Sequence, residues 1–164
     1  MSNMLNNKDK IRILFVCLGN ICRSCTAETI LCQQLRQAGL SHLAHVDSAG
    51  ILSYHQGEQA DPRMRMHASR HGYHITHLSR PVRRSDFFDF DLILGMDAAN
   101  IEDLREMAPS LDVLPKIRLV TDYSSLPDVN EVPDPYYGGS EGFERTIRLL
   151  EDACEGIVRE LKGE

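Results

Sequence analysis

The chain has 164 residues, 42% of them hydrophobic and 26% charged, with a formal net charge of −6 at pH 7. That size predicts one domain with a single substantial core, and the acidic balance argues against nucleic acid or an anionic membrane as partner. No stretch is long or apolar enough to span a bilayer, and five cysteines, three of them within residues 17–25, make no disulfide framework, so a cytoplasmic protein is expected.

Met1 to Asp9 is polar and reads as a flexible tail, leaving 10–164 as the domain. Ile11 to Val16 is apolar and rich in β-branched residues, the pattern of a parallel strand buried on both faces. Thr26 to Ala38 reads as a helix with Ala27, Ile30, Leu31 and Leu35 on one face and Gly39 as its stop. His45 to Gly50 is a second short strand. Asp61-Pro62 then fits a helix start, Asp61 as N-cap and Pro62 in the first position, with Gly72 at its end. Six arginines between Arg63 and Arg84 make this region locally basic, and most read as a solvated face. Asp91 to Met96 is a third buried strand, followed by Asp97 as N-cap of a helix over Ala98 to Met107. Lys116 to Val120 is a fourth strand. The stretch Thr121 to Gly139 holds Pro127, Pro133 and Pro135 and no regular period, the mark of a functional loop. Ser140 reads as N-cap of a last helix whose apolar stripe runs from Phe143 to Leu161. Strands alternating with helices imply right-handed crossovers and a doubly wound, mainly parallel four-stranded α/β sheet with helices on both faces. Ligands of such sheets sit beyond the carboxyl ends of the strands, where Cys17, Ser48, Asp97 and the long loop all fall.

The informative stretch is Cys17-Leu18-Gly19-Asn20-Ile21-Cys22-Arg23-Ser24, between the first strand and the first helix. A strand running through a turn into a helix makes an anion site, because unpaired N–H groups and the helix dipole converge. Five residues between Cys17 and Arg23 let the loop curl around the thiol, with Arg23 closing the ring as a planar fork for two phosphate oxygens. The same positive field favours a thiolate. This octapeptide resembles the phosphate loop of the low-molecular-weight protein tyrosine phosphatases, and Asp134-Pro135-Tyr136-Tyr137 resembles that family's general-acid segment. The likeness runs from about Ile11 to the C-terminal helix.

The resemblance implies a metal-independent, cofactor-free phosphatase acting on phosphotyrosine proteins and small aryl phosphates, releasing inorganic phosphate. Cys17 would be the nucleophile, Arg23 the phosphate ligand and Asp134 the general acid. Gly19, Ile21 and Cys22 would complete the phosphate cradle. Asn20 would hold the loop in strained backbone angles and Ser24 would hydrogen-bond the sulfur, with Ser48 and His77 bracing them. Leu18, Tyr54, Tyr136 and Tyr137 would wall the substrate ring. The resemblance also implies redox regulation in which Cys22 traps oxidised Cys17 as a disulfide. Cys25 departs from the family, which has proline there. Cys32 and Cys154 read as small core residues, and Asp97 as a structural cap. No Cys/His spacing suggests zinc. One alternative is an arsenate reductase of the same fold, which needs a cysteine pair after the third strand; Gly95 to Pro115 contains none. Another is a non-catalytic phosphotyrosine-binding module, which would lack Cys17 or Asp134; both are present.

Overall fold

Strand β1, Ile11–Cys17, is apolar at six of its seven positions because it is an inner strand of a sheet covered on both sides. In the computed structural model, which describes residues 10–164, β1 pairs in parallel with β2 (Ala44–Gly50) on one side and β3 (Leu92–Gly95) on the other. Strand β4 (Ile117–Leu119) completes the order β2-β1-β3-β4, again in parallel. The tail expected over Met1–Asp9 lies outside the described residues.

The pleat of β1 divides the core in two. Ile11, Ile13, Phe15 and Cys17 point into a larger layer completed by α1 (Arg23–Gln37) and α5 (Ser140–Leu161). Leu14 and Val16 point into a smaller one, under α3 (Asp86–Asp89) and α4 (Ala98–Met107). Helix α2 (Pro62–Arg70) packs on α5. This is the doubly wound α/β arrangement expected. The chain leaves β1 toward one face and β3 toward the other, so a crevice opens between their carboxyl ends.

Local signals account for the element boundaries. Asp61 accepts the N–H groups of Arg63 and Met64, with Pro62 in the first turn. Asp97 caps α4 reciprocally with Asn100. Two starts differ from expectation. Helix α1 begins at Arg23 rather than Thr26, because the loop after β1 turns straight into helical backbone with no side-chain cap at Cys22. Gly139 occupies the N-cap of α5 and Ser140 is its first helical residue. The proline-rich stretch opens with a 3-10 turn, Val120–Tyr123, and is pinned to the end of β3 where Val132 N–H donates to the Met96 carbonyl at 2.9 Å. Helix α5 approaches that turn so closely that a Cβ on Gly156 would lie 1.9 Å from the Tyr123 carbonyl oxygen, so only glycine fits there.

Candidate active site

Beyond β1 the chain curls through residues 18–22 and enters α1 at Arg23. Its carbonyls are held from outside the curl: Cys17 and Leu18 accept from the N–H groups of Ile51 and Leu52 at 2.9 Å, Gly19 from the Ser79 hydroxyl at 3.0 Å, and Ile21 from Asp61 N–H at 2.8 Å. That leaves loop N–H groups, Ser24's among them, for the concave side. Asn20 sits at φ 58°, a conformation that asparagine tolerates better than most residues. Its buried amide Nδ2 donates to the hydroxyls of Ser24 (2.7 Å) and Ser48 (3.1 Å), while Oδ1 accepts from His77 Nε2 (2.9 Å) and Arg80 N–H (3.1 Å). The donor-only Arg80 amide fixes which amide atom faces which way. A Cβ on Gly50 would stand 3.0–3.1 Å from the backbone of Gly19 and Asn20, so the end of β2 must be bare for the loop to rest on it.

Cys17 Sγ lies at the floor of the curl, 3.0 Å from Ser24 Oγ and 3.4 Å from Ser24 N. Among the described residues Arg23 is the largest fully buried side chain, at 2% exposure. Its Nη1 donates to Asp97 Oδ2 at 2.6 Å and to the Val132 carbonyl at 3.0 Å, and its Nη2 faces Asp134 Oδ2 at 3.6 Å. Burial works against the Arg23 charge, but Cys17, Asp97 and Asp134 outweigh it and raise the guanidinium pKa, so the charge is kept. Asp134 is held in a tight turn by Tyr136 N–H, which donates to its Oδ1 at 3.0 Å.

Cys17, Arg23 and Asp134 share one cleft of about 740 Å³, including its open mouth. Leu18, Gly19, Ile21, Cys22, Tyr54, Tyr136 and Tyr137 line it as well, with Tyr54 and Tyr137 standing exposed at the rim. Asn20, Ser24, Ser48 and His77 stand behind the loop. Sequence reasoning missed Leu52 and His55 in the wall, because the connection after β2 carries no periodic signal. It also read Asp97 only as a cap; the residue does cap α4, and its other oxygen grips Arg23.

Behind Asn20, Glu28 Oε1 accepts from Ser48 Oγ at 2.6 Å and lies 3.2 Å from His77 Nδ1, with Asp47 Oδ1 3.6 Å from the same nitrogen. His77 Nε2 carries the proton it donates to Asn20, its Nδ1 faces the two carboxylates, and burial lowers the imidazole's pKa. Burial pushes Glu28 up to about 7. Glu28, Asp47 and His77 are the one set of candidate metal-holding side chains among the described residues. Arg80 reaches Asp47 Oδ2 at 2.9 and 3.3 Å and forks onto Asp86 at 2.9 and 3.1 Å, so it ties Asp47 to the rest of the fold and the cluster orients His77 on Asn20. Burial and the neighbouring Asp61 and Cys17 push Cys22 up, keeping it a thiol. Cys25 points its Sγ at the Cys22 carbonyl and is buried in the core, outside the cleft. Cys154 is buried there too, and Cys32 is partly so.

Residues 12–164 match the family described as low molecular weight phosphotyrosine protein phosphatase. A low molecular weight protein-tyrosine-phosphatase of Streptomyces coelicolor is 42% identical over 151 residues, 90% of this chain and 91% of its own. The crystal structure of a protein tyrosine phosphatase from Entamoeba histolytica, with Hepes in its active site, superposes with a TM-score of 0.90 at 44% identity, covering 93% of this chain and 97% of that one. The structure of a Drosophila arginine phosphatase gives 0.84 at 34% identity, covering 91% and 96%. The chain belongs to the low molecular weight phosphotyrosine protein phosphatase family.

Proposed function

We propose that the protein hydrolyses phosphotyrosine, in proteins and in small aryl phosphates, by way of a cysteinyl phosphate. Loop N–H groups and Arg23 bind the phosphate, and Asp97 and the Val132 carbonyl hold the guanidinium in place. The Cys17 thiolate attacks phosphorus. As the P–O bond to the phenol breaks, Asp134 gives its proton to the departing oxygen. Asp134 then takes a proton from water, which displaces sulfur from phosphorus and releases inorganic phosphate. The Ser24 hydroxyl, 3.0 Å from Sγ, stabilises the thiolate as it departs. Positive charge comes from Arg23 and the amides, so the scheme needs neither metal nor cofactor.

What supports this reading is the meeting of a nucleophile, a buried arginine and a carboxyl group in one cleft with aromatic walls. Arsenate reduction would need a disulfide relay, and no cysteine lies within Gly95–Pro115. The walls, with Leu18, Leu52 and three tyrosines, suit a flat aryl group. Five unpaired cysteines suit a reducing cytoplasm, and no helix among the described residues is long and apolar enough to cross a membrane. The test is hydrolysis of aryl phosphate, phosphotyrosyl peptide and phosphoarginine in a buffer containing chelator, with arsenate reduction run in parallel. Turnover of the first two, abolished in Cys17→Ser with phosphate binding retained, is expected. Loss of activity with the chelator, preference for phosphoarginine or arsenate, or more than a few per cent residual activity in Cys17→Ser would overturn it.

A further inference from the structure

Arg63 stands at the second position of α2, where a cation opposes the helix dipole. Helix stability is therefore no reason for an arginine there. Its surroundings supply one. Its Nε and Nη2 form a fork with Asp61 at 3.1 and 2.9 Å. The N–H of the same Asp61 holds the Ile21 carbonyl of the phosphate loop. The guanidinium is thus fixed relative to that loop. Its carbon lies 5.3 Å from the ring centre of Tyr136 and 4.9 Å from that of Phe143. Phe143 is buried and stacks on His67, so this end of the contact is rigid ground.

We infer that Arg63 is a positioning residue of the cleft: its guanidinium, fixed to the phosphate loop through Asp61, holds the ring of Tyr136 in place as a wall for the aryl group and, through the Tyr136 N–H, aims Asp134. The inference deepens the phosphatase reading above and rests on it. The chain of contact is short. Tyr136 carries the ring that Arg63 covers and the N–H that holds Asp134 Oδ1 at 3.0 Å. A guanidinium meets both demands at once, with a fork for the carboxylate and a flat face for the ring. An ammonium has neither.

The experiment compares wild type with Arg63→Ala and Arg63→Lys, using exposed Arg70→Ala as a control. Affinities for an aryl phosphonate and for inorganic phosphate are measured by calorimetry, and kcat is measured for aryl phosphates with graded leaving phenols. Arg63→Ala should weaken the phosphonate about tenfold, the scale of a lost cation–π contact with its ordering, and leave inorganic phosphate within twofold. Its kcat should fall more for poor leaving phenols than for acidic ones, because only the former need the aimed acid. Arg63→Lys should not restore either property. In a Tyr136→Ala background, Arg63→Ala should change neither. A part of the fold with no such role would lower thermal stability and move all ligands and esters alike. That result, equal loss for phosphate and phosphonate, or full rescue by lysine would overturn the inference. Should Arg63→Ala fail to fold, Arg63→Lys decides, since it keeps a charge beside Asp61. Phosphonate binding needs no turnover, so it judges the clamp separately from the activity of the wild type.

Discussion

Replacing Asn20 with alanine removes a side chain that makes four hydrogen bonds from a site with 1% exposure. The two hydroxyls it serves can turn to other partners: Ser24 toward Cys17 and Ala49, Ser48 toward Glu28. The two donors that point at Oδ1, His77 Nε2–H and Arg80 N–H, cannot. Each stranded, largely buried donor costs about 1–3 kcal/mol. Alanine at φ 58° adds about 1 kcal/mol more. The sum is about 3–7 kcal/mol, a large share of the total stability of a domain this size. Asn20→Asp is the discriminating partner. It keeps an oxygen for His77 and Arg80, so it should lose less than half as much stability. Its charge beside Ser24 and Cys17 should nevertheless weaken phosphate binding and turnover. Urea unfolding with and without phosphate reads both effects. At a phosphate concentration a hundredfold above its Kd, the wild type should gain about 2.7 kcal/mol, and Asn20→Ala should gain much less at the same concentration. An Asn20→Ala protein within 1 kcal/mol of wild type, with an undiminished gain from phosphate, would refute the reasoning that these hydrogen bonds hold the loop in shape.

Asp134→Asn should lower kcat by about 10²–10⁴ for esters of weakly acidic phenols, with a smaller loss as the phenol becomes more acidic; an equal loss across leaving groups would assign Asp134 to binding. Burial raises Glu28 from 4.5 to about 7, so the folded state holds a proton that the unfolded chain has lost. That stabilisation is complete below about pH 4.5 and fades as pH rises to about 7. Wild type should therefore lose about 1–3 kcal/mol more than Glu28→Gln between pH 5 and 8, and parallel unfolding profiles for the two would contradict this. For redox control, which we propose from the placement of Cys17 and Cys22 in one cleft with Cys25 outside it, peroxide should oxidise Cys17 to the sulfenic acid. Cys22 should then displace water to form a disulfide. Cys22→Ser should make inactivation mostly irreversible and Cys25→Ser should leave recovery by a dithiol intact, whereas a dominant bridge to Cys25 on peptide mapping would overturn the pairing.

Elements whose causes are local were legible in the sequence. The run Ile11–Val16 is apolar at both parities, and that is a strand buried on both faces. Asp61-Pro62 and Asp97 are side-chain caps, and both helices begin where those caps stand. The start of α1 was not legible. Cys22 caps nothing with its side chain, and residues 23–25 become helical because the curled loop delivers them in that direction. Ser140 failed for a similar reason: a serine is a common cap, but here glycine supplies the extended N-cap backbone one residue earlier. A propensity for capping says which residues can do it, and the approach of the preceding loop decides which one does.

The site divides along the same line. Cys17, Arg23 and Ser24 lie within eight consecutive residues, so their meeting follows from one turn of chain. The groups that set their chemistry arrive from far away. Asp97 reaches Arg23 across 74 positions, His77 reaches Asn20 across 57, and Arg63 meets the rings of Tyr136 and Phe143 from another helix. None of these partners has a period or spacing that singles it out. An arginine after Asp-Pro reads as helix surface, and an aspartate before a helix reads as its cap. Both readings are right as far as they go, since Arg63 is half-exposed and Asp97 does cap α4. What they leave out is that each residue does a second job with its remaining atoms: the other oxygen of Asp97 holds the Arg23 fork, and the flat face of Arg63 covers a tyrosine. A side chain with more than one polar atom or face can satisfy a local rule and a distant one together. Sequence reasoning finds the local rule first and then has no unexplained residue left to prompt a search for the distant one.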